Sequence, residues 1–104
     1  MSAVNVSAVL FPKADKVDEV IALVTEVVRK VQENEPDTLL YYAFRVQDKN
    51  EIVVVERYKN QAAVKTHVQS SYFKEFAAKL GPLADKPMEL RNGNMLGSTQ
   101  VCRL

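Results

Sequence analysis

The stretch Ile52-Val53-Val54-Val55-Glu56-Arg57-Tyr58-Lys59-Asn60-Gln61-Ala62-Ala63-Val64-Lys65-Thr66-His67 changes its hydrophobic period in the middle, and that change decides the fold. Its first seven residues are β-branched or aromatic at nearly every position. A period of two puts Ile52, Val54, Glu56 and Tyr58 on one side of a strand and Val53, Val55 and Arg57 on the other. Asn60 then has the chemistry of a helix cap, its side-chain oxygen accepting the backbone N–H of Ala62 or Ala63. In that helix Ala63, Val64, His67 and Val68 share one stripe, so the only histidine of the chain points inward. A carboxylate, a phenol and an imidazole are thereby expected at the wall of one apolar pocket, a set able to orient a polar ring and move its protons. The same pattern also fits a packed histidine bonded to a carbonyl or carboxylate, with Tyr58 in the core and Glu56 at a solvated strand end.

Upstream, residues 38–46 read as a strand whose two faces, Leu40/Tyr42/Phe44/Val46 and Leu39/Tyr41/Ala43/Arg45, are both largely apolar. A strand apolar on both faces needs cover on both. Helices supply one layer in so short a chain, and a second copy of the protein is the expected other. Gln47-Asp48-Lys49-Asn50 is a polar turn that joins this strand to residues 52–58 as an antiparallel hairpin. Further upstream, Val17, Val20, Ile21, Val24, Val28 and Val31 trace a helical stripe, with Asp15 as the expected cap. Glu35-Pro36-Asp37 stops that helix, because the residue before a proline is pushed out of the α region.

Residues 4–11 alternate, with Val4, Val6, Ala8 and Leu10 to one side, and form a first strand closed by Pro12. Downstream of His67 the helix breaks near Gln69. Ser70 or Ser71 restarts it along Tyr72, Phe73, Phe76, Ala77 and Leu80, and Gly81-Pro82 ends it. Residues 88–91 give a short last strand and Asn92-Gly93-Asn94 a turn. Residues 95–104 give a tail whose Met95, Leu96, Val101 and Leu104 are apolar enough to pack on a partner protomer. The order β-α-β-β-α-β defines an α+β, ferredoxin-like protomer, with the helices on one face of an antiparallel sheet.

At 104 residues the chain is expected to be a single domain, with residues 92–104 as a C-terminal extension. Lys and Arg total 14 against 13 for Asp and Glu, without a block of one sign, which argues against a nucleic-acid or anionic-membrane partner. Cys102 is the only cysteine, so an internal disulfide and a cysteine metal cluster are excluded; that and the absence of a long apolar run make the cytoplasm the expected compartment. With no histidine beside it in sequence, the thiol of Cys102 is expected to be incidental rather than a nucleophile.

Several pieces, in order, resemble the antibiotic biosynthesis monooxygenase domain family of the dimeric α/β barrel superfamily. Glu35-Pro36-Asp37-Thr38-Leu39-Leu40-Tyr41 is similar to the family's E-P-G-x-L-x-Y, and Glu56-Arg57-Tyr58 to its E-x-W or E-x-Y. Ala62-Ala63 with His67 is similar to A-x(4)-H, and Ser70-Ser71-Tyr72-Phe73 to S-x-x-F. The resemblance covers residue 4 to about residue 90 and implies a homodimeric barrel of two ferredoxin-like protomers. It further implies a cofactor-independent oxygenase for a quinol or polyphenolic ring, with molecular oxygen as candidate co-substrate and no metal. The absence of a Gly-rich dinucleotide fingerprint and of a metal-ligand cluster fits that reading. On this reading His67 or Glu56 accepts the phenolic proton, Tyr58 and Tyr72 orient the ring, and Val54 and Phe76 supply apolar wall.

Departures narrow the expectation. Antibiotic-tailoring members carry an asparagine where this chain has Val54 and a tyrosine near Val64. Haem-degrading relatives use an asparagine, a tryptophan and a histidine where this chain offers Ser7, His67 and Ala77. Asp37 in place of the usual glycine asks an aspartate to tolerate a turn conformation. Two other functions share the same fold: an isomerase of a small polyhydroxylated metabolite, and a non-catalytic barrel that binds a ligand.

Overall fold

The structure is a computed structural model and describes residues 3–98. Four strands and three helices follow one another as β1 (Val4–Pro12), α1 (Val17–Asn34), β2 (Thr38–Arg45), β3 (Ile52–Tyr58), α2 (Gln61–Gln69), α3 (Ser71–Leu83) and β4 (Ala84–Asn94). The strands form one sheet in the order β2-β3-β1-β4, and every neighbouring pair is antiparallel. This is the ferredoxin-like α+β protomer, with its second helix divided at Ser70. No helix among the described residues is long and apolar enough to cross a membrane.

The core follows from two periodicities meeting. Ala8, Leu10, Ile52 and Val54 alternate onto the inner sheet face, and Val20, Val24, Val27, Val31, Phe76 and Leu80 cover them from the helices. Valine is a poor helix former, so burial holds α1 together: each fully buried valine contributes roughly 1.5–3 kcal/mol. The buried row of α1 is Val17, Val20, Val24, Val27 and Val31, while Ile21 and Val28 flank it partly buried. The 3-4-3-4 spacing wins because it drifts least around the helix.

Several expectations are corrected. Lys16, not Asp15, occupies the N-cap of α1, without a side-chain cap bond. Helix α3 runs through Gly81-Pro82 to Leu83. Proline crowds the Cβ of the residue before it, and glycine has none, so the pair passes through the last turn at the loss of one hydrogen bond. Val68 and Ala77, expected inward, are exposed. Asp37 lies in a turn, as expected, and among the described non-glycine residues the positive φ falls at Asp48, in the β2–β3 turn, with φ 62°.

The largest correction concerns the last strand. It begins at Ala84 rather than residue 88, and Asn92-Gly93-Asn94 lies within it, pairing with Val6, Asn5 and Val4. Those three residues have weak strand propensity, but β1 offers an unpaired edge there and the ladder overrides it. Any extension therefore starts after Asn94. Of the tail, Met95 and Leu96 are exposed, whereas Val101, Cys102 and Leu104 lie outside the described residues.

Candidate active site

Two buried carboxylates flank the histidine. Alternation along β3 carries Glu56 inward between Val54 and Tyr58, where it is 9% exposed. Glu35 caps the end of α1, donating its own N–H to the Val31 carbonyl, and the turn to β2 leaves its side chain 6% exposed. Asn60 accepts the N–H of Ala63 at 2.9 Å, as its sequence position requires, and this fixes the start of α2. Two turns on, His67 is 2% exposed.

Glu35 gathers three donors. Thr38 Oγ1 donates to Oε1 at 2.7 Å, the Tyr72 hydroxyl donates to Oε2, and His67 Nδ1 lies 2.9 Å from Oε2. A carboxylate acceptor selects the histidine form that carries hydrogen on Nδ1. The other ring nitrogen, Nε2, is buried with no hydrogen-bond partner among the described residues. Around the imidazole stand the rings of Tyr41, Tyr58 and Phe73, with centroids at 5.2, 5.6 and 4.7 Å.

Glu56 is held differently. The Tyr58 hydroxyl donates to its Oε1, and Oε2 has no donor among the described residues. Burial pushes the Glu56 carboxyl above the ordinary range; the Tyr58 hydrogen bond and the His67 charge oppose this in part, and Glu35 adds to it. The phenols of Tyr41 and Tyr58 are raised well beyond the usual tyrosine range, chiefly by burial and then by Glu56. Tyr72 is pushed up to about 12 by burial and by its bond to Glu35. All three phenols therefore stay protonated, as donors, at neutral pH.

A cavity of about 200 Å³ lies between the inner sheet face and the helices. Glu56, Tyr58, Val54 and Phe76 line it, so four of the six residues singled out in the sequence meet there. His67 and Tyr72 do not line it. His67 sits behind the wall formed by Tyr41, Tyr58 and Phe73, and Tyr72 borders a separate groove between α1 and α3. The deep end is apolar, with Leu10 and Val24; the mouth opens beside β4, where Leu90 is 60% exposed and Val68 on α2 is 43% exposed. A cavity of about 150 Å³ suffices for a benzene ring, so one of about 200 Å³ has room for a small substituted ring.

Three residues of the site escaped the sequence reading. Glu35 looked like a helix stop, although it opens the E-P-G-like motif. Tyr41 looked like one residue of a doubly apolar strand, and Asn92 like part of a turn. Counting by twos from Met88 through Leu90 would have placed Asn92 on the inner face, where it lines the cavity. Among the described residues no group of three or more His, Cys, Asp or Glu could hold a metal ion.

An antiparallel sheet in the order β2-β3-β1-β4 with helices on one face, and a small, mostly apolar cavity walled in part by a buried carboxylate, places the chain in the class of ferredoxin-like α+β proteins. Residues 3–79 match the sequence profile of the family described as antibiotic biosynthesis monooxygenase, and the chain belongs to that family. An uncharacterised protein of Synechocystis sp. is 35% identical over 81 residues, which are 76% of this chain and 54% of the relative; the chain thus spans about half the length of that curated relative. A Caulobacter crescentus crystal structure, named provisionally as an antibiotic biosynthesis monooxygenase, superposes with a TM-score of 0.87 at 26% identity, covering 92% of both chains. A Mycobacterium tuberculosis protein gives a TM-score of 0.88 at 24% identity over 94% of this chain and 99% of its own, a likeness of fold.

Proposed function

We propose that the chain is a cofactor-independent monooxygenase-like enzyme acting on a quinol or small polyphenolic ring, with Glu56 as the base. The observation that carries this is the position of Glu56: a buried carboxyl facing an apolar, ring-sized cavity, with one oxygen engaged by Tyr58 and the other without a donor among the described residues. A base raised above the ordinary carboxylate range is better matched to a phenolic proton than a solvated one. The pair of His67 and Glu35 stands behind the wall and acts on Glu56 in opposite senses, His67 lowering and Glu35 raising its carboxyl, after the larger effects of burial and the Tyr58 bond.

The reaction balances without a bound group. Glu56 takes the phenolic proton, and the phenolate gives one electron to molecular oxygen. The radical pair combines at a ring carbon bearing hydrogen, and the resulting hydroperoxide, once protonated, loses water to leave a carbonyl. One oxygen atom enters the ring and the other leaves as water. The protein's part is to bind the ring, remove its proton and exclude bulk water.

Homodimerisation belongs to the same proposal. Tyr42 and Phe44 on the sheet face opposite the helices are 45% and 48% exposed, beside Val53 and Val55, and a second copy laid on that face would close the barrel. The test is oxygen uptake with a panel of quinols, anthrones and flavonoids against an enzyme-free control. Turnover above the control that falls roughly 10²-fold in Glu56→Gln supports the proposal. Uptake equal to the control for every compound removes it, and turnover lost in His67→Ala but kept in Glu56→Gln moves the base to His67.

A further inference from the structure

We propose that α2 is a movable wall of the cavity, held closed by the contact of His67 with Glu35. The proposal concerns how the cavity opens, and it holds whichever residue serves as the base inside it.

Helix α2 is the most lightly held element over the sheet. Helix α1 buries five valines along 18 residues and α3 buries Phe76 and Leu80, whereas α2 has nine residues and buries only Ala63 and His67. A helix shorter than about 12–15 residues is marginal without tertiary support. The other apolar side chains of α2, Val64 and Val68, line the cavity and take no part in the core cluster, and Val68 stands half exposed at the mouth. An element with so little buried apolar surface opens locally, at a fraction of the cost of unfolding the domain.

Both ends of α2 can turn. The residues that border it, Asn60 and Ser70, are extended, with φ −164°, ψ −179° and φ −65°, ψ 148°. Asn60 caps α2 and Ser70 caps α3 through their side chains, so a swing about these two residues leaves each cap inside its own helix.

One residue outside the helix closes the wall. Glu35 accepts from Thr38 at the start of β2 and from Tyr72 on α3, and His67 Nδ1 lies 2.9 Å from its Oε2. Among the described residues this is the only hydrogen bond that a side chain of α2 makes to another element. With α2 in place the cavity of about 200 Å³ admits little more than a small ring. Release of His67 carries Val64 and Val68 away with it and widens the mouth.

Amide hydrogen exchange of the full chain, read by NMR without any ligand, tests the proposal. Residues 65–69 should exchange at least about tenfold faster than residues 24–31 of α1. Val20→Ala lowers global stability at a site away from α2, and should speed exchange in α1 while leaving α2 unchanged. Glu35→Gln weakens the latch, and His67→Phe keeps a ring among Tyr41, Tyr58 and Phe73 but has no Nδ1; each should speed α2 about tenfold, the worth of one hydrogen bond. Exchange in α2 that follows Val20→Ala, or that ignores both latch variants, overturns the proposal. A thiol placed on the cavity floor, Ala8→Cys with Cys102→Ser, reports the opening itself through its labelling rate with 5,5′-dithiobis(2-nitrobenzoate), a reagent larger than the closed cavity. Labelling should accelerate with the latch variants and not with Val20→Ala; a rate that stays constant while α2 loosens also overturns the proposal, because the helix then moves without opening the cavity.

Discussion

Glu56 is where function and stability oppose one another. A carboxyl that holds its proton more tightly when folded than when unfolded favours folding at low pH. That contribution is complete below the unfolded pKa and is lost as pH climbs through the raised folded value. Glutamine keeps the shape and the acceptor for Tyr58 but never ionises. Glu56→Gln should therefore melt higher than wild type at neutral and alkaline pH, with the gain fading in acid, while its activity is lost. Thermal melts from pH 4 to 9 check this, and a uniform loss of stability would mean that ionised Glu56 is a structural member. In the wild type, kcat/KM should rise with pH through a midpoint above 4.5. Glu35 has the opposite character. Replacing it with alanine strands His67, Tyr72 and Thr38 in a buried site, and should cost on the order of 3 kcal/mol in chemical denaturation.

Among the elements, β3 and the start of α2 were legible because local chemistry and tertiary demand agree in them, whereas Val68, further along α2, is exposed against expectation. The alternation of residues 52–58 and the cap at Asn60 need no information from elsewhere in the chain. Asn60→Ala should accordingly cost about 1 kcal/mol, a fall in melting temperature of roughly 4–8 °C for a domain of this size. Strand β4 shows where such reading stops. Ala84, Asp85, Lys86 and Pro87 begin it, and Asn92, Gly93 and Asn94 end it, against their own preferences, because β1 is long enough to pair with them. Partner length is a tertiary fact. The pairing of Glu35 with His67, 32 residues apart, is invisible for the same reason: each residue is ordinary in its own element, and only the docking of α2 beside the end of α1 brings them together.

At the scale of the molecule, the two faces of the sheet have separate duties. The inner face is a core with a cavity in it; the outer face presents the aromatic stack of Tyr42 and Phe44, ring centroids 6.4 Å apart. Tyr42→Asp or Phe44→Asp should convert a dimer to monomer, read by sedimentation at micromolar concentration, with the secondary structure retained. A wild type that sediments as a monomer would leave the outer face without its expected cover. The sheet's two borders bear on how copies can meet at all. The outermost strands, β2 and β4, each break register, β2 between Thr38 and Leu40 and β4 opposite Val9 and Phe11, and β4 carries Pro87, which has no N–H to give. A sheet so interrupted along both rims is a poor template for lateral growth into fibrils, because a chain arriving at either rim meets a ladder that changes step.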